Sequence, residues 1–186
     1  GYSVTAVIED LNFSNESSTA ITATLDAAKY GGAGVNSSAK GYILGGVIAG
    51  YSVTAVIEDL NFSNESSAAI TATLDAAKEL DGAGVNSSVK GYILGGHIGA
   101  TKLSVIEDLN FSNETSAAIA ATLDTAKRGG AGVNSSAKGY ILGGDTGSKT
   151  AVIEDLLFSN ETSAAIAATL DTAKGFSAGV QSGGIL

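Results

Sequence analysis

One short segment recurs four times along the chain, and this repetition constrains the fold more than any other feature. The segment reads I-E-D-L-N-F at Ile8–Phe13, Ile57–Phe62 and Ile106–Phe111, and I-E-D-L-L-F at Ile153–Phe158. Successive copies start 49, 49 and 47 residues apart. A period of this size is typical of solenoids, propellers and arrays, in which a unit buries its core only against its neighbours. The sequence therefore predicts one repeat domain over residues 1–186, made of four units of about 49 residues.

The composition narrows the range of partners. The formal net charge is −9 and the ten basic residues are spread along the chain, whereas nucleic-acid binding requires clustered Lys and Arg. The absence of cysteine excludes disulfides and thiolate metal ligands. No uninterrupted apolar run approaches the roughly 18 residues of a membrane-spanning helix. We expect neither a nucleic-acid partner nor a membrane span, and the compartment stays open, with an extracellular setting preferred.

Each unit contains three runs that are typical of β-strands. In the later units these are the small-residue run Ala131–Ser136, the apolar run Lys138–Gly144 closed by a glycine pair, and Lys102–Phe111. The last of these ends in a turn-forming cluster at 112–115. β-Branched and large apolar residues favour strands, and Gly, Asn and Ser favour turns.

The remaining part of each unit is ambiguous. Ser116–Arg128 is rich in Ala, and its Ile119 and Leu123 lie four residues apart, as on one face of a helix. Intrinsic helix propensity is a weak constraint that tertiary context overrides. We therefore expect a fourth strand here, and the alternative fold is a β-rich repeat with one Ala-rich helix per unit.

The order of these segments resembles the kelch repeat. Its apolar run with a glycine doublet is similar to Y-I-L-G-G at Tyr42–Gly46, Tyr92–Gly96 and Tyr140–Gly144, and its first spaced aromatic is similar to Phe13, Phe62, Phe111 and Phe158. An alanine, Ala117 or Ala118, stands where that family has a second aromatic. The resemblance implies an all-β fold, a four-bladed β-propeller of four-stranded antiparallel blades.

The two ends of the sequence suggest how such a ring closes. Tyr2–Phe13 matches a third strand, and Phe176–Ser182 matches a first strand that is followed by a stub of second strand. We expect one blade to be closed by strands from both termini of the same chain, which removes exposed edges. The alternative is pairing of these ends between molecules, giving a larger ring or a fibre.

The copies differ mainly in two connections, the one after the glycine doublet and the one before each first strand. In an up-and-down blade both connections emerge on the same side. Aromatic residues and Arg commonly anchor interfaces. The candidate ligand-binding residues are therefore Tyr30, Tyr51, His97, Arg128 and Phe176, with His97 expected as an exposed loop residue.

The repeated polar residues give no pattern of a catalytic or metal site. Glu9 and Asp10 are adjacent on a strand and project to opposite sides, so they do not form an acid–base pair. The segment Asp10–Ser14 lacks the glycine and the distal Glu of a calcium loop. Sequons are sugar acceptors only in a eukaryotic secretory route; examples are Asn15, Asn64, Asn113 and Asn160. We predict no enzymatic activity, no cofactor and no metal.

Two functions from different classes fit this sequence. The first is a non-catalytic binding or scaffold module that presents a loop face to a protein or glycan. The second is a structural repeat protein that self-assembles into an oligomer or fibre through strand pairing at its termini. An amplified or designed repeat without any ligand is a third possibility, because the copies are nearly identical.

Overall fold

The computed structural model describes residues 4–12, 14–78 and 81–179. Within these ranges the regular structure consists of β-strands and one short 3-10 turn, Ala49–Tyr51. The expected all-β class is therefore confirmed. In the described part of the chain, no helix is both long and apolar enough to span a membrane.

Four antiparallel sheets follow one another along the chain. Sheet I is a hairpin of β1 (Val7–Asn12) and β2 (Ser17–Thr24). Sheet II contains β3 (Lys29–Tyr30), β4 (Ala33–Asn36), β5 (Lys40–Ile48), β6 (Ser52–Asn61) and β7 (Ser66–Thr73). Next come β8 (Ala83–Asn86), β9 (Lys90–Leu94), a ribbon of β10 (His97–Ile98) and β11 (Thr101–Lys102), then β12 (Val105–Asn110) and β13 (Thr115–Thr122). Sheet III is formed by β8, β9, β12 and β13, and sheet IV by β14 (Ala131–Asn134), β15 (Lys138–Leu142), β16 (Thr150–Leu157) and β17 (Thr162–Lys174).

Sheets II to IV share one up-and-down arrangement of four strands. Each begins with the A-G-V-N strand, which pairs with the K-G-Y-I-L strand, then the I-E-D-L strand and finally the Ala-rich strand. Sheet I contains only the third and fourth strands of this order. The expected four-stranded unit is thus present in sheets II, III and IV.

The Ala-rich segment is a strand, so the alternative with one helix per unit is wrong. In sheet III the segment forms β13 and pairs with β12 from Asn110↔Thr115 to Val105↔Thr122. Its Ala118 N–H also donates to the Asp75 carboxylate of the preceding unit at 2.9 Å. These bonds to other parts of the chain replace the local bonds of a helix, so tertiary context overrides the helix propensity of Ala.

The turn between the third and fourth strands explains the repeated N-F-S-N-E sequence. In sheet III the Asn110 side chain accepts the N–H of Ser112 at 3.0 Å, and the Glu114 N–H donates to the Asn110 carbonyl at 2.9 Å. Glu114 has φ 53°, and the equivalent glutamates have φ values of 52–56°. Asn side chains commonly support tight turns in this way. Asn110, the first residue of this repeated sequence, therefore serves as a turn residue.

The sheets pack face to face, and apolar side chains fill two of the spaces between them. The cluster between sheets II and III consists of Ala33, Val35, Tyr42, Leu44, Ile57, Leu74, Ile93 and Leu109. The cluster between sheets III and IV consists of Ala83, Val85, Tyr92, Leu94, Ile106, Leu123, Ile141 and Leu156. The two sets consist of residues at matching positions of the repeat, so the two interfaces are packed in the same way.

The first strands of successive units meet through glycine. A Cβ atom on Gly84 would overlap the carbonyl oxygen of Gly34, one on Gly132 that of Gly84, and one on Gly179 that of Gly132. Only glycine permits so close an approach between backbones. At Gly34, by contrast, no described atom lies within 4 Å of the Cβ position. The described glycine stack therefore runs from Gly34 to Gly179 and is open at Gly34.

The closure expected from the sequence is not seen among the described residues. The segments expected to pair, Tyr2–Phe13 and Phe176–Ser182, each lie partly outside those residues. Within them, β1 pairs with β2 alone, and Leu11 of β1 is 54% exposed, although its equivalents Leu109 and Leu156 are fully buried. Among the described residues, sheet I thus has no cover like that of sheets III and IV.

Candidate functional site

A buried ion pair joins a glutamate in each of sheets II to IV to the lysine that ends the preceding repeat unit. The pairs are Lys29–Glu58, Lys78–Glu107 and Lys127–Glu154, and all six side chains are at most 3% exposed. The second carboxylate oxygen of each glutamate accepts a backbone N–H of the preceding unit, from Asp26, Asp75 and Asp124 at 2.6, 2.8 and 2.6 Å. The repeated glutamate is therefore held by structural contacts on both oxygens. We call the set of contacts around it the lysine–glutamate junction.

The neighbouring aspartate points to the other side of its strand and binds a lysine that makes a second contact between sheets. Lys40 binds Asp59 of its own sheet and Glu114 of sheet III, both at 2.6 Å. The Tyr42 hydroxyl lies 3.2 Å from the same Glu114 oxygen, and the Tyr42 ring stacks on Phe111 with 5.5 Å between centroids. Lys90, Tyr92, Phe158 and Glu161 repeat this arrangement between sheets III and IV. The projection of adjacent Glu and Asp to opposite sides, expected from the sequence, is confirmed.

These contacts shift the proton affinities of the participating groups. The hydrogen bonds that the Lys40 ammonium donates to Asp59 and Glu114 raise the pKa of Lys40 above its ordinary value. Burial, together with the charge of Glu114, raises the pKa of Tyr42 to about 12. At Lys90, burial alone would lower the pKa, but the hydrogen bonds that its ammonium donates to Asp108 and Glu161 outweigh burial, so the pKa is also raised.

We expect the protein to lose stability progressively above about pH 10. The folded protein holds the protons of Lys40, Lys90 and Tyr42 more tightly than the unfolded chain does. The associated stability is complete below the unfolded pKa values and disappears as the pH rises through the folded ones. Thermal unfolding from pH 7 to 12 measures the effect. Glu114→Gln should lower stability by about 1 kcal/mol at pH 8, and its deficit should shrink as the lysine deprotonates; a constant deficit would contradict this assignment.

The variable connections meet along one edge of the sheets, which we call the variable edge. In sheet II, β3 pairs with the end of β5 through Tyr30↔Val47, so the connection before the first strand lies beside the one after the glycine doublet. Tyr30 is 45% exposed, and Tyr51 at the adjacent turn is 73% exposed with φ 62°. The arrangement expected from the sequence is therefore present at sheet II.

A second group of variable residues lies at sheet IV. The Arg128 guanidinium is 5.5 Å from the centroid of the Phe176 ring, and its Nε lies 3.3 Å from the Asp145 carboxylate. The Lys102 ammonium of the preceding unit is 3.8 Å from the same carboxylate. Bonding from the Gly147 N–H, reinforced by Arg128 and Lys102, lowers the pKa of Asp145. Phe176 is 60% exposed, so this group presents an aromatic ring beside Arg128, which shares Asp145 with Lys102.

The structure places one candidate binding residue, His97, differently from the sequence-based expectation. His97 was expected as an exposed loop residue, and that expectation is wrong because the residue is 7% exposed. It lies in β10, opposite Lys102 of β11, and the ribbon folds it inward. The exposed candidates on the variable edge are thus Tyr30 and Tyr51 at sheet II and Phe176, with Arg128, at sheet IV.

Sequence reasoning missed a groove between sheets I and II. Its volume is about 420 Å³, and its lining includes Val7, Ile8, Leu25, Gly34, Ile43 and Leu60. At the next interface, the matching space is filled by Val35, Tyr42 and Leu44 from the first two strands of sheet II. Among the described residues, sheet I has only the third and fourth strands of the unit, so no side chains of a first or second strand fill this space.

Comparison with known proteins adds no family to this description. No protein-family model matches the chain, and no curated protein matches it significantly. The functional interpretation therefore depends on the residues and contacts described above.

Proposed function

We propose that this chain is a non-catalytic binding module that presents its variable edge to a protein or glycan. The observation that carries the proposal is the group at sheet IV, where Arg128 lies against the exposed Phe176 ring and shares Asp145 with Lys102. Exposed aromatic rings beside Arg are common anchors of protein interfaces. The carboxylate, guanidinium and ammonium groups can also bond to sugar hydroxyls.

The repeated residues act as the scaffold of this module. The lysine–glutamate junctions and the apolar clusters involve positions that are the same in successive units, whereas the exposed aromatics of the variable edge lie where the units differ. The up-and-down strand order of sheets II to IV is that of a propeller blade. This order supports a kelch-like arrangement of blades as the architecture on which the variable edge is displayed.

Screening the protein against glycan and protein arrays tests the proposal. We expect Tyr51→Ser combined with Phe176→Ser to weaken binding at least tenfold, because each substitution removes an exposed aromatic anchor worth about 1–2 kcal/mol. The matched control is Val89→Ser, which removes an exposed apolar side chain (63% exposed) from a turn between first and second strands. Equal binding by the double variant and the unaltered protein would contradict the assignment of this edge.

Self-assembly is a second candidate function, and the exposure of the outer sheets favours it. The equivalents of Leu11 and Leu60 are fully buried at Leu109 and Leu156, yet Leu11 is 54% exposed and Leu60 is half-buried. Large apolar surfaces that remain open on a soluble chain are commonly interaction sites. A repeat protein that leaves such positions uncovered can extend its stack by adding another molecule.

A further inference from the structure

The interface between neighbouring sheets has two different sides, which the structure shows twice. One side, the forward side, contributes the valine of the first strand, the tyrosine of the second strand and the lysine that ends the unit. The other, the backward side, contributes the two repeated glutamates and the glycine against which the valine packs. At the interface between sheets II and III, Val35 occupies the space beside Gly91, and Lys78 binds Glu107. Val85, Gly139, Lys127 and Glu154 repeat these contacts between sheets III and IV.

Sheet IV exposes an unused forward side. Its core-facing residues are only half-buried, whereas their equivalents in sheets II and III are buried; they are Val133, Tyr140, Leu142, Ile153 and Leu170. Lys174 matches the buried Lys29, Lys78 and Lys127 but is exposed, and it has no ion-pair partner among the described residues. Lys138 binds Asp155 at 2.5 Å but lacks the second carboxylate that Lys40 and Lys90 bind.

Sheets I and II expose an unused backward side. Glu9 matches the buried glutamates of the junctions but is exposed, and within the described chain it contacts Ser18 Oγ at 3.3 Å and no cation. Glu16 matches Glu114 and Glu161, which bind the lysine and tyrosine of the preceding sheet, and it too is exposed. Gly34 has no described neighbour at its Cβ position. The groove beside Gly34 lies where the first and second strands of a unit lie at the other interfaces.

We propose that a second copy of this chain docks head to tail, with the forward side of sheet IV of one copy against the backward side of sheets I and II of the next. This inference rests on the proposed self-assembly and gives that function its partner and its contacts. Lys174 of one copy binds Glu9 of the other, and Lys138 and Tyr140 bind Glu16. The Ala178–Gly179 segment enters the groove and continues the glycine stack onto Gly34.

Charge and shape both identify a second copy as the occupant. Among the described residues, the forward side offers a lysine without an ion pair and the backward side glutamates without an ion pair, in the same positions that pair inside the chain. An A-G segment like that of a first strand is present in the same molecule at Ala178–Gly179, stacked on Gly132 with Gly179 exposed. Because the two sides differ, the contact is heterologous and generates a ring or an open filament rather than a two-fold dimer.

The test exchanges the charges of one proposed pair. Glu9→Lys and Lys174→Glu alter exposed side chains that lie outside the described ion pairs, so each variant should fold normally, which circular dichroism checks. Light scattering over a concentration series then measures mass against the 18.3 kDa of one chain. We expect each variant alone to associate at least about tenfold more weakly than the unaltered protein. An equal mixture of the two should recover association, because each supplies the charge that the other needs.

The outcomes separate this interface from self-assembly in general. If the unaltered protein remains a monomer at every concentration, self-assembly and this interface are both overturned. If the unaltered protein assembles and both variants assemble equally well, self-assembly stands and the interface is wrong. If Glu9→Lys and Lys174→Glu each destabilise the monomer and only their combination in one chain restores it, Lys174 and Glu9 pair within one molecule, and docking of a second copy is overturned.

Discussion

Replacing Lys127 by Met should lower the free energy of unfolding by about 3–5 kcal/mol. Lys127 and its partner Glu154 are each 1% exposed, so the substitution leaves a buried carboxylate without its counter-charge. The Glu154 carboxylate would retain only the Asp124 N–H at 2.6 Å. Removing one member of a buried pair costs far more than the pair contributes, because the remaining charge stays desolvated. Urea unfolding at neutral pH measures the change.

The chain contains a matched control for this substitution. Lys174→Met changes the same position of the last unit, where the side chain is exposed and unpaired among the described residues. In protein dilute enough to remain monomeric, it should change the free energy of unfolding by less than about 0.5 kcal/mol. Equal losses for Lys127→Met and Lys174→Met would show that the lysine–glutamate junction does not stabilise the repeat.

The strands and turns of this chain could be predicted because they depend on local sequence. Apolar residues bounded by glycine or by a polar turn cluster were enough to predict strands within Lys138–Gly144 and Lys102–Phe111. The structure has strands there at Lys138–Leu142 and Val105–Asn110. The Ala-rich strand was harder, since local propensity favours a helix there. Its conformation depends on β12 and on the Asp75 carboxylate, both distant in sequence.

The contacts between sheets could not be predicted, because they depend on how the units are positioned in space. Glu107 and Lys78 are 29 residues apart in the sequence, and only the packing of sheets II and III makes them a buried pair. The same limit applies to His97, whose burial follows from a two-strand ribbon of two residues each. The position of Tyr30 beside the end of β5 follows from strand order alone, because the connections of an up-and-down sheet share an edge.

Replacing Gly84 by Ala should destabilise the protein by about 2–3 kcal/mol. The added Cβ would overlap the carbonyl oxygen of Gly34 and also lie close to its carbonyl carbon and nitrogen, at 3.1 and 3.4 Å. These are backbone atoms, so no side-chain rotation can relieve the contact and two packed sheets must move apart. Such movement also loosens the apolar cluster that contains Ala33 and Val35. Thermal and urea unfolding both report this loss.

The corresponding substitution at Gly34 tests most directly whether the stack of sheets is open. In dilute, monomeric protein, Gly34→Ala should leave the free energy of unfolding unchanged or raise it by up to about 1 kcal/mol, because the Cβ meets no described atom and the unfolded chain loses freedom. The measurement is urea unfolding of Gly34→Ala beside Gly84→Ala. A tolerated Gly34→Ala together with a damaging Gly84→Ala is the result we predict. Equal destabilisation by both would contradict an open stack, and would mean that a first strand of the same chain already covers Gly34.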